Sequence, residues 1–181
     1  MAHPGGASRF LIFPAGPLDA ENLARVHVTA WRETYRGLLP DAGLARMSEA
    51  AQIRRFRHGL NHPGENEVTL VCADRQGAVG YVSGGPARSG AEGWAEVSTL
   101  YLLRSAQGCG LGADLLRAAA RALRARGARS LVISVLRENV RARGFYEHLG
   151  GQADPARQEP GPDGRLLFEV AYRWADIQAL A

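Results

Sequence analysis

TLYLLRSAQGCGLGADLLRAAARALRARG, residues 99–127, passes from an apolar strand through a short polar loop into a helix, with Gly108, Gly110 and Gly112 at alternate positions. A loop that only turns a corner rarely needs three glycines. A helix N-terminus carries unpaired main-chain N–H groups and the positive end of the helix dipole, so it attracts phosphate. Glycine lets a ligand approach those amides with no side chain between. The helix itself is strongly patterned: Leu111, Leu115, Leu116, Ala119 and Leu123 make one apolar stripe, and Arg117, Arg121 and Arg124 lie opposite. Arg117 adds formal positive charge one to two turns from the loop. The stretch therefore predicts an anionic ligand held by main-chain amides.

Outward from it, the chain alternates helical and strand patterns. Residues 9–14, RFLIFP, read as a first strand. A helix follows from Asp19, with Leu23, Val26, His27, Ala30, Trp31, Thr34 and Tyr35 recurring at three- and four-residue steps. GLLPD breaks it, and a second helical region is expected over residues 44–60. EVTLVCA and AVGYVSG form a hairpin around DRQG, and SGGPARSGAEG reads as a glycine-rich turn before WAEVSTLYLL. SLVISVL is a continuous apolar run, as in a strand buried on both faces. NVRARGFYEHLG is a short helix closed by Gly150, and a final hairpin turns at PGPDG. The expectation is one α/β (α+β) domain over residues 1–181, with hairpins at both ends and a strand–helix–strand crossover between them.

Composition narrows the function. A hydrophobic share of 46% in 181 residues supplies a proper core. No signal peptide and no membrane-length apolar run is visible, and Cys72 and Cys109 make neither a disulfide framework nor a zinc motif. A cytoplasmic protein without metal or membrane partner is expected. All 22 basic residues are arginine, which excludes a Walker A lysine and a Schiff-base lysine. The net charge of +4 suits a phosphate-bearing cofactor or nucleic acid, but the arginines are scattered without an aromatic-interleaved patch, so no nucleic acid is expected. GCGLGA also fits the dinucleotide fingerprint, with Glu138 after the next strand. That motif belongs at the end of a first strand, whereas about a hundred residues precede it here.

Including Gln107 gives a better match. Gln107, Gly110, Gly112 and Ala113 form Q-x-x-G-x-G-A, which resembles the acyl-CoA pyrophosphate loop of the GNAT superfamily of N-acetyltransferases. ENVRARGFYEHLG resembles that superfamily's second signature, N-x-x-A-x-x-F-Y-E-x-x-G, in Asn139, Ala142, Phe145, Tyr146, Glu147 and Gly150. VHVTAWRETYRGLLP is similar to a widespread bacterial branch. The resemblance spans roughly residues 8–174, the core of the domain, with Gly144 and Gly151 departing from the usual apolar and aromatic residues.

The resemblance implies a mixed, mostly antiparallel sheet whose two parallel central strands splay apart, with helices flanking it. It implies acetyl-CoA as co-substrate: pyrophosphate on the N–H groups from about Gly108 through Cys109, Gly110, Leu111 and Gly112 to Ala113, with Gln107 a further cofactor-binding residue of the loop, and the pantetheine arm on the main chain of Tyr101 and Leu102, with Asn139. The acetyl group would pass directly to a primary amine of a small molecule or peptide. Tyr146, a phenol protonated at neutral pH, is the candidate proton donor to the leaving thiolate. Glu96, eleven residues before Gln107, is the candidate base, on a strand face shared with Ser98 and Leu100, with Val97, Thr99 and Tyr101 opposite; a water chain is the other source. Cys109 has no neighbouring histidine and reads as a loop residue. Trp31 and Tyr35 are core by periodicity, and the resemblance also has their helix wall the acceptor site. His27 reads as a packed histidine. Arg32 and Arg36 form a solvated face that could attract an acceptor carboxylate. Other classes stay open: a non-catalytic CoA-binding or regulatory domain, and an arginine-rich nucleic-acid binder. An exposed C-terminal hairpin suits homodimer pairing.

Overall fold

The computed structural model describes residues 9–89, 91–160 and 166–180. Strands β1 (Leu11–Pro14), β2 (Val68–Asp74), β3 (Gly77–Pro86), β4 (Trp94–Leu102), β5 (Ser130–Leu136), β6 (Gln152–Ala153), β7 (Arg157–Pro160) and β8 (Leu166–Trp174) make one sheet. Its order is β1-β2-β3-β4-β5-β8-β6, with β7 also on β8. Every pairing is antiparallel except β4 with β5, which are joined by helix α4 (Leu111–Arg124). The mixed sheet with one crossover is the architecture the sequence pattern predicts.

Helices cover both faces. The α4 stripe packs with Val82 of β3, Ala95 and Val97 of β4, and Leu131 and Ile133 of β5. Helix α5 (Val140–His148) adds Tyr146 to this core. On the other face, Leu23 and Val26 of α1 (Ala20–Tyr35) meet Val71, Ala78 and Tyr81, with Phe56 and Leu60 of α3 (Glu49–Asn61) against them. Val82 and Tyr81 are neighbours in sequence but belong to opposite cores, which is the two-residue alternation of a strand.

Two boundaries differ from the sequence reading. Residues 44–60 are not one helix: α2 (Asp41–Ala45) ends, and Ser48 starts α3 by accepting the Ala51 N–H. Strand β3 runs through SGGP to Pro86, because its glycines permit close pairing with β4, so the turn begins later. The final hairpin forms from β7 and β8, but four of the five PGPDG turn residues lie outside the described residues, as do residues 1–8.

One irregularity shapes everything near the loop. Ser83 pairs with Thr99 and Gly84 with Val97, so Ser98 is an extra residue in β4. This β-bulge exchanges the faces of the strand. Before it, Ala95 and Val97 face α4; after it, Leu100 and Leu102 do, and Tyr101 joins the α1 side. The regular alternation that grouped Glu96 with Leu100 is therefore corrected: Glu96 shares its face with Tyr101.

His27 of α1 lies under this face, with Nδ1 2.5 Å from the Tyr81 hydroxyl and its ring 5.2 Å from that of Tyr101. Burial, reinforced by Arg55, holds its pKa down at about 4, from an ordinary 6.5. Between those values the unfolded chain takes up a proton that folded His27 resists, so stability should fall as pH falls through that window. Urea unfolding of wild type and His27→Gln at pH 7 and pH 5 checks this: the loss on acidification should be smaller in the variant, and equal losses would refute it.

Candidate active site

The glycines of the loop do two different jobs. Gly108 and Gly110 have φ of +79° and +86°, the left-handed region that other residues enter at a cost. Gly112 is a packing position: a Cβ there would meet Phe145 at 3.4 Å and Leu102 at 3.5 Å. The result is a turn that leaves main-chain amides pointing outward. Among the described residues, the N–H groups of residues 108–112 have no main-chain partner, whereas that of Ala113 already donates to Gly110 O at 3.0 Å. The expected cradle is thus narrower by one amide. Gln107 does not point into it; its Nε2 donates to Leu102 O at 2.9 Å and ties the loop to the end of β4. Cys109 donates its thiol to Ala106 O at 3.3 Å, a loop role as expected. Arg117 is half-exposed and within 3.6 Å of Asp114.

Beside this loop the sheet opens. Only Trp94–Val97 of β4 pairs with β5, opposite Ser130–Ile133, and beyond that the two strands part. Leu103 N–H donates to Val79 O at 2.9 Å, so by antiparallel alternation the Tyr101 main chain also bonds β3. That corrects the expectation for Tyr101, whose amide and carbonyl are committed to the sheet. The main-chain groups of Leu100 and Leu102 face the gap instead. A diphosphate with an extended amide-bearing arm fits these features: bare amides at the helix N-terminus, then an unpaired strand edge.

At the mouth of the gap three phenols converge. Tyr146 of α5 is 6% exposed and packs at 5.6 Å on Tyr172 and 5.2 Å on Phe145. Tyr35, at the end of α1, and Tyr101 interact through their hydroxyls, and Tyr146 is close enough to both to act on them electrostatically. Burial pushes all three phenols above their ordinary value, so each stays protonated at neutral pH. Trp31 stacks on Tyr35 with ring centroids 4.4 Å apart, and its buried Nε1 has no partner among the described residues. Trp31 and Tyr35 of α1 thus lie together on the side of the sheet that carries Tyr101.

Glu96 is 8% exposed and borders the same face. Arg88, in the β3–β4 connection, holds it: Nη2 to Oε1 at 2.6 Å, Nε to both oxygens at 2.9 and 3.1 Å, and its own amide to Oε2 at 3.1 Å. Asn139 caps α5, its Oδ1 accepting the Ala142 N–H at 3.2 Å, which leaves its NH2 to donate elsewhere. The two unusual glycines have simple explanations. Gly144 faces open space, and a Cβ on Gly151 would lie 2.8 Å from the Trp174 ring, which fills the room an aromatic there would take. Trp174 is fixed by its Nε1 donating to Leu149 O.

Sequence reasoning missed two groups. Arg88 lies in a segment read only as a turn. Glu169 of β8 borders the same face as Glu96, and burial raises its pKa, with Glu159 and Glu96 adding to the effect and Arg88 opposing it. The signal for Glu169 was present: Val170, Tyr172 and Trp174 alternate with Glu169, Ala171 and Arg173, so a carboxylate stands on the second face of an otherwise apolar strand.

Among the described residues, no helix is long and apolar enough to cross a membrane. The sequence profile of the acetyltransferase (GNAT) family matches residues 19–151. The chain is 31% identical over 164 residues to the N-acetyltransferase YuaI of Bacillus subtilis, covering 90% of this chain and 91% of that one. Its fold is similar to that of the PaiA N-acetyltransferase of Thermoplasma acidophilum, solved in complex with coenzyme A, with a TM-score of 0.67 at 18% identity over 91% of this chain and 99% of the other. It is also similar to YncA of Salmonella typhimurium, solved with acetyl-CoA, with a TM-score of 0.71 at 21% identity over 93% and 95% of the two chains. The amide cradle, the parted strands and these relationships agree, and the chain belongs to the acetyltransferase (GNAT) family as an acetyl-CoA-dependent N-acetyltransferase.

Proposed function

We propose that this protein transfers the acetyl group of acetyl-CoA directly to a primary amine of a small molecule or peptide, with both substrates bound at once. The observation that carries the reading is the gap between β4 and β5, with free amides in the loop that follows β4 and the Tyr146 phenol near Tyr101 of β4. Acetyl-CoA supplies the activated acetyl thioester. Residues 108–112 hold its diphosphate through main-chain N–H groups, with the α4 dipole behind them. Leu100 offers its amide and carbonyl along the gap and Leu102 its amide, the Leu102 carbonyl already accepting from Gln107 Nε2, and an N–H there serves as a modest oxyanion donor. Asn139 adds its side-chain NH2.

Tyr146 then gives its proton to the departing sulfur. The phenol is protonated before transfer; burial lowers its acidity, but the same dry site strengthens the hydrogen bond it gives to sulfur as negative charge develops there. No acyl-enzyme is needed, since the exposed Cys109 thiol is bonded to a carbonyl and Cys72 is fully buried. Trp31 and Tyr35 wall the acceptor side. Glu96 enters as the anion that fixes Arg88 at the cleft, because its oxygens are occupied.

A thiol-release assay with acetyl-CoA across amino acids, polyamines, aminoglycosides and peptides tests the function. Turnover with at least one amine is expected, and coenzyme A binding without any turnover would leave only a binding domain. Tyr146→Phe should lower turnover by roughly 10- to 1,000-fold with coenzyme A affinity unchanged by calorimetry; an unaltered turnover number would remove Tyr146 from the chemistry. Gly110→Ala forces alanine into the left-handed region at a cost of about 1–2 kcal/mol, so coenzyme A binding should weaken about tenfold.

A further inference from the structure

If amine acetylation is the reaction, the site must also dispose of a proton from the amine, and Glu96 is poorly placed to take it. Two of its carboxylate contacts come from one guanidinium nitrogen, and its remaining capacity goes to Arg88 Nη2 and the Arg88 amide. The second carboxylate of that face is in the opposite condition. Glu169 accepts no hydrogen bond and forms no ion pair among the described residues. It stands opposite Leu136, the last residue of β5, beyond the point at which β4 has left β5. Its neighbours Val170, Tyr172 and Trp174 point into the α4 core, so Glu169 points to the face that carries Glu96 and the end of α1. It is near enough to Tyr35 to influence that phenol, which in turn interacts with Tyr101. Glu169 is also half-buried, so a charge placed beside it is felt strongly.

We propose that Glu169 is the carboxylate that pairs with the ammonium group of the acceptor and takes its proton during transfer. This rests on the acetyl-transfer reading above. The titratable and charged groups facing Glu169 are the neutral Tyr35 phenol of α1, Arg88 before β4, Glu96 of β4, and Glu159 of β7, with Arg157 its register partner on β7. Arg137, at the end of β5, lies over the Phe168 ring and pairs with Glu138. The carboxylates outnumber the arginine that reaches Glu169 electrostatically, and together with burial they raise its proton affinity, which suits a base that must compete for an ammonium proton. The bookkeeping of protons closes. An ammonium loses two on becoming an amide. The first goes to Glu169 and on to water, freeing the nitrogen lone pair to bond the acetyl carbon as the carbon–sulfur bond breaks and its electrons stay on sulfur. The second replaces the proton that Tyr146 gives to the sulfur.

The test is the pH profile of kcat/KM for wild type, Glu169→Gln, Glu169→Asp and Glu96→Gln, using the amine turned over fastest in the thiol-release screen. Glu169→Gln should fall by roughly 100-fold at neutral pH, lose the acidic limb, and recover above about pH 9, where free amine is abundant. Glu169→Asp should keep part of the rate. Coenzyme A affinity and Tm should be unchanged in both, and a carboxylate 13C titration of wild type should show one glutamate above the ordinary range that Glu169→Gln removes. A Glu169→Gln profile parallel to wild type, or loss of the acidic limb in Glu96→Gln alone, overturns the proposal while leaving acetyl transfer intact. Failure of wild type to acetylate any amine would instead overturn the acetyl-transfer reading on which it rests.

Discussion

The site depends on two parallel strands that stop pairing. β4 and β5 share register only across Trp94–Val97 and Ser130–Ile133. At that limit Ser98 bulges, and the strand beyond it turns its faces over while staying bonded to β3. The main-chain groups of Leu100 and Leu102 are thereby left facing a gap inside the sheet. Apart from the Leu102 carbonyl, which accepts from Gln107, these main-chain polar groups need a partner, and an extended ligand with its own amides would supply one. The same bulge puts Glu96 on one face with Tyr101 and leaves Leu102 in the core, where its carbonyl anchors Gln107. The glycine loop is held at the end of the gap because the strand and the helix are both fixed to it.

Charge is distributed across this frame in a way the whole-chain excess of arginine conceals. Diphosphate would meet main-chain amides and a helix dipole. The acceptor would meet Glu96, Glu159 and Glu169 gathered about Arg88. Between them stand Tyr35, Tyr101 and Tyr146, whose phenols keep their protons because burial disfavours the charged form. On the proposed mechanism the proton donor and the proton acceptor would stand on different elements, α5 and β8.

Much of this was legible without coordinates. The stripe from Leu111 to Leu123 is a helical period, SLVISVL is a buried strand, and Gly108 and Gly110 do occupy conformations that glycine favours. Gly112 was legible only as a glycine; its packing neighbour Phe145, with which a Cβ there would be in ordinary contact, belongs to a later helix. Gly151 looked anomalous because the residue that fills its space, Trp174, comes from the far end of the chain. Alternation misassigned Glu96 because a single extra residue in a strand leaves no mark in sequence periodicity.

By itself the sequence determined the order of elements, the anion-seeking loop and the identity of the phenol on α5, since each depends on residues within one or two turns or strands of each other. Which groups meet was decided only by tertiary structure. The Arg88–Glu96 pair, the convergence of three tyrosines from α1, β4 and α5, and the placement of Glu169 opposite the end of β5 all join segments far apart in the chain. Local pattern encodes the face a residue presents, but the partner across that face is set by sheet register and by where the strands part.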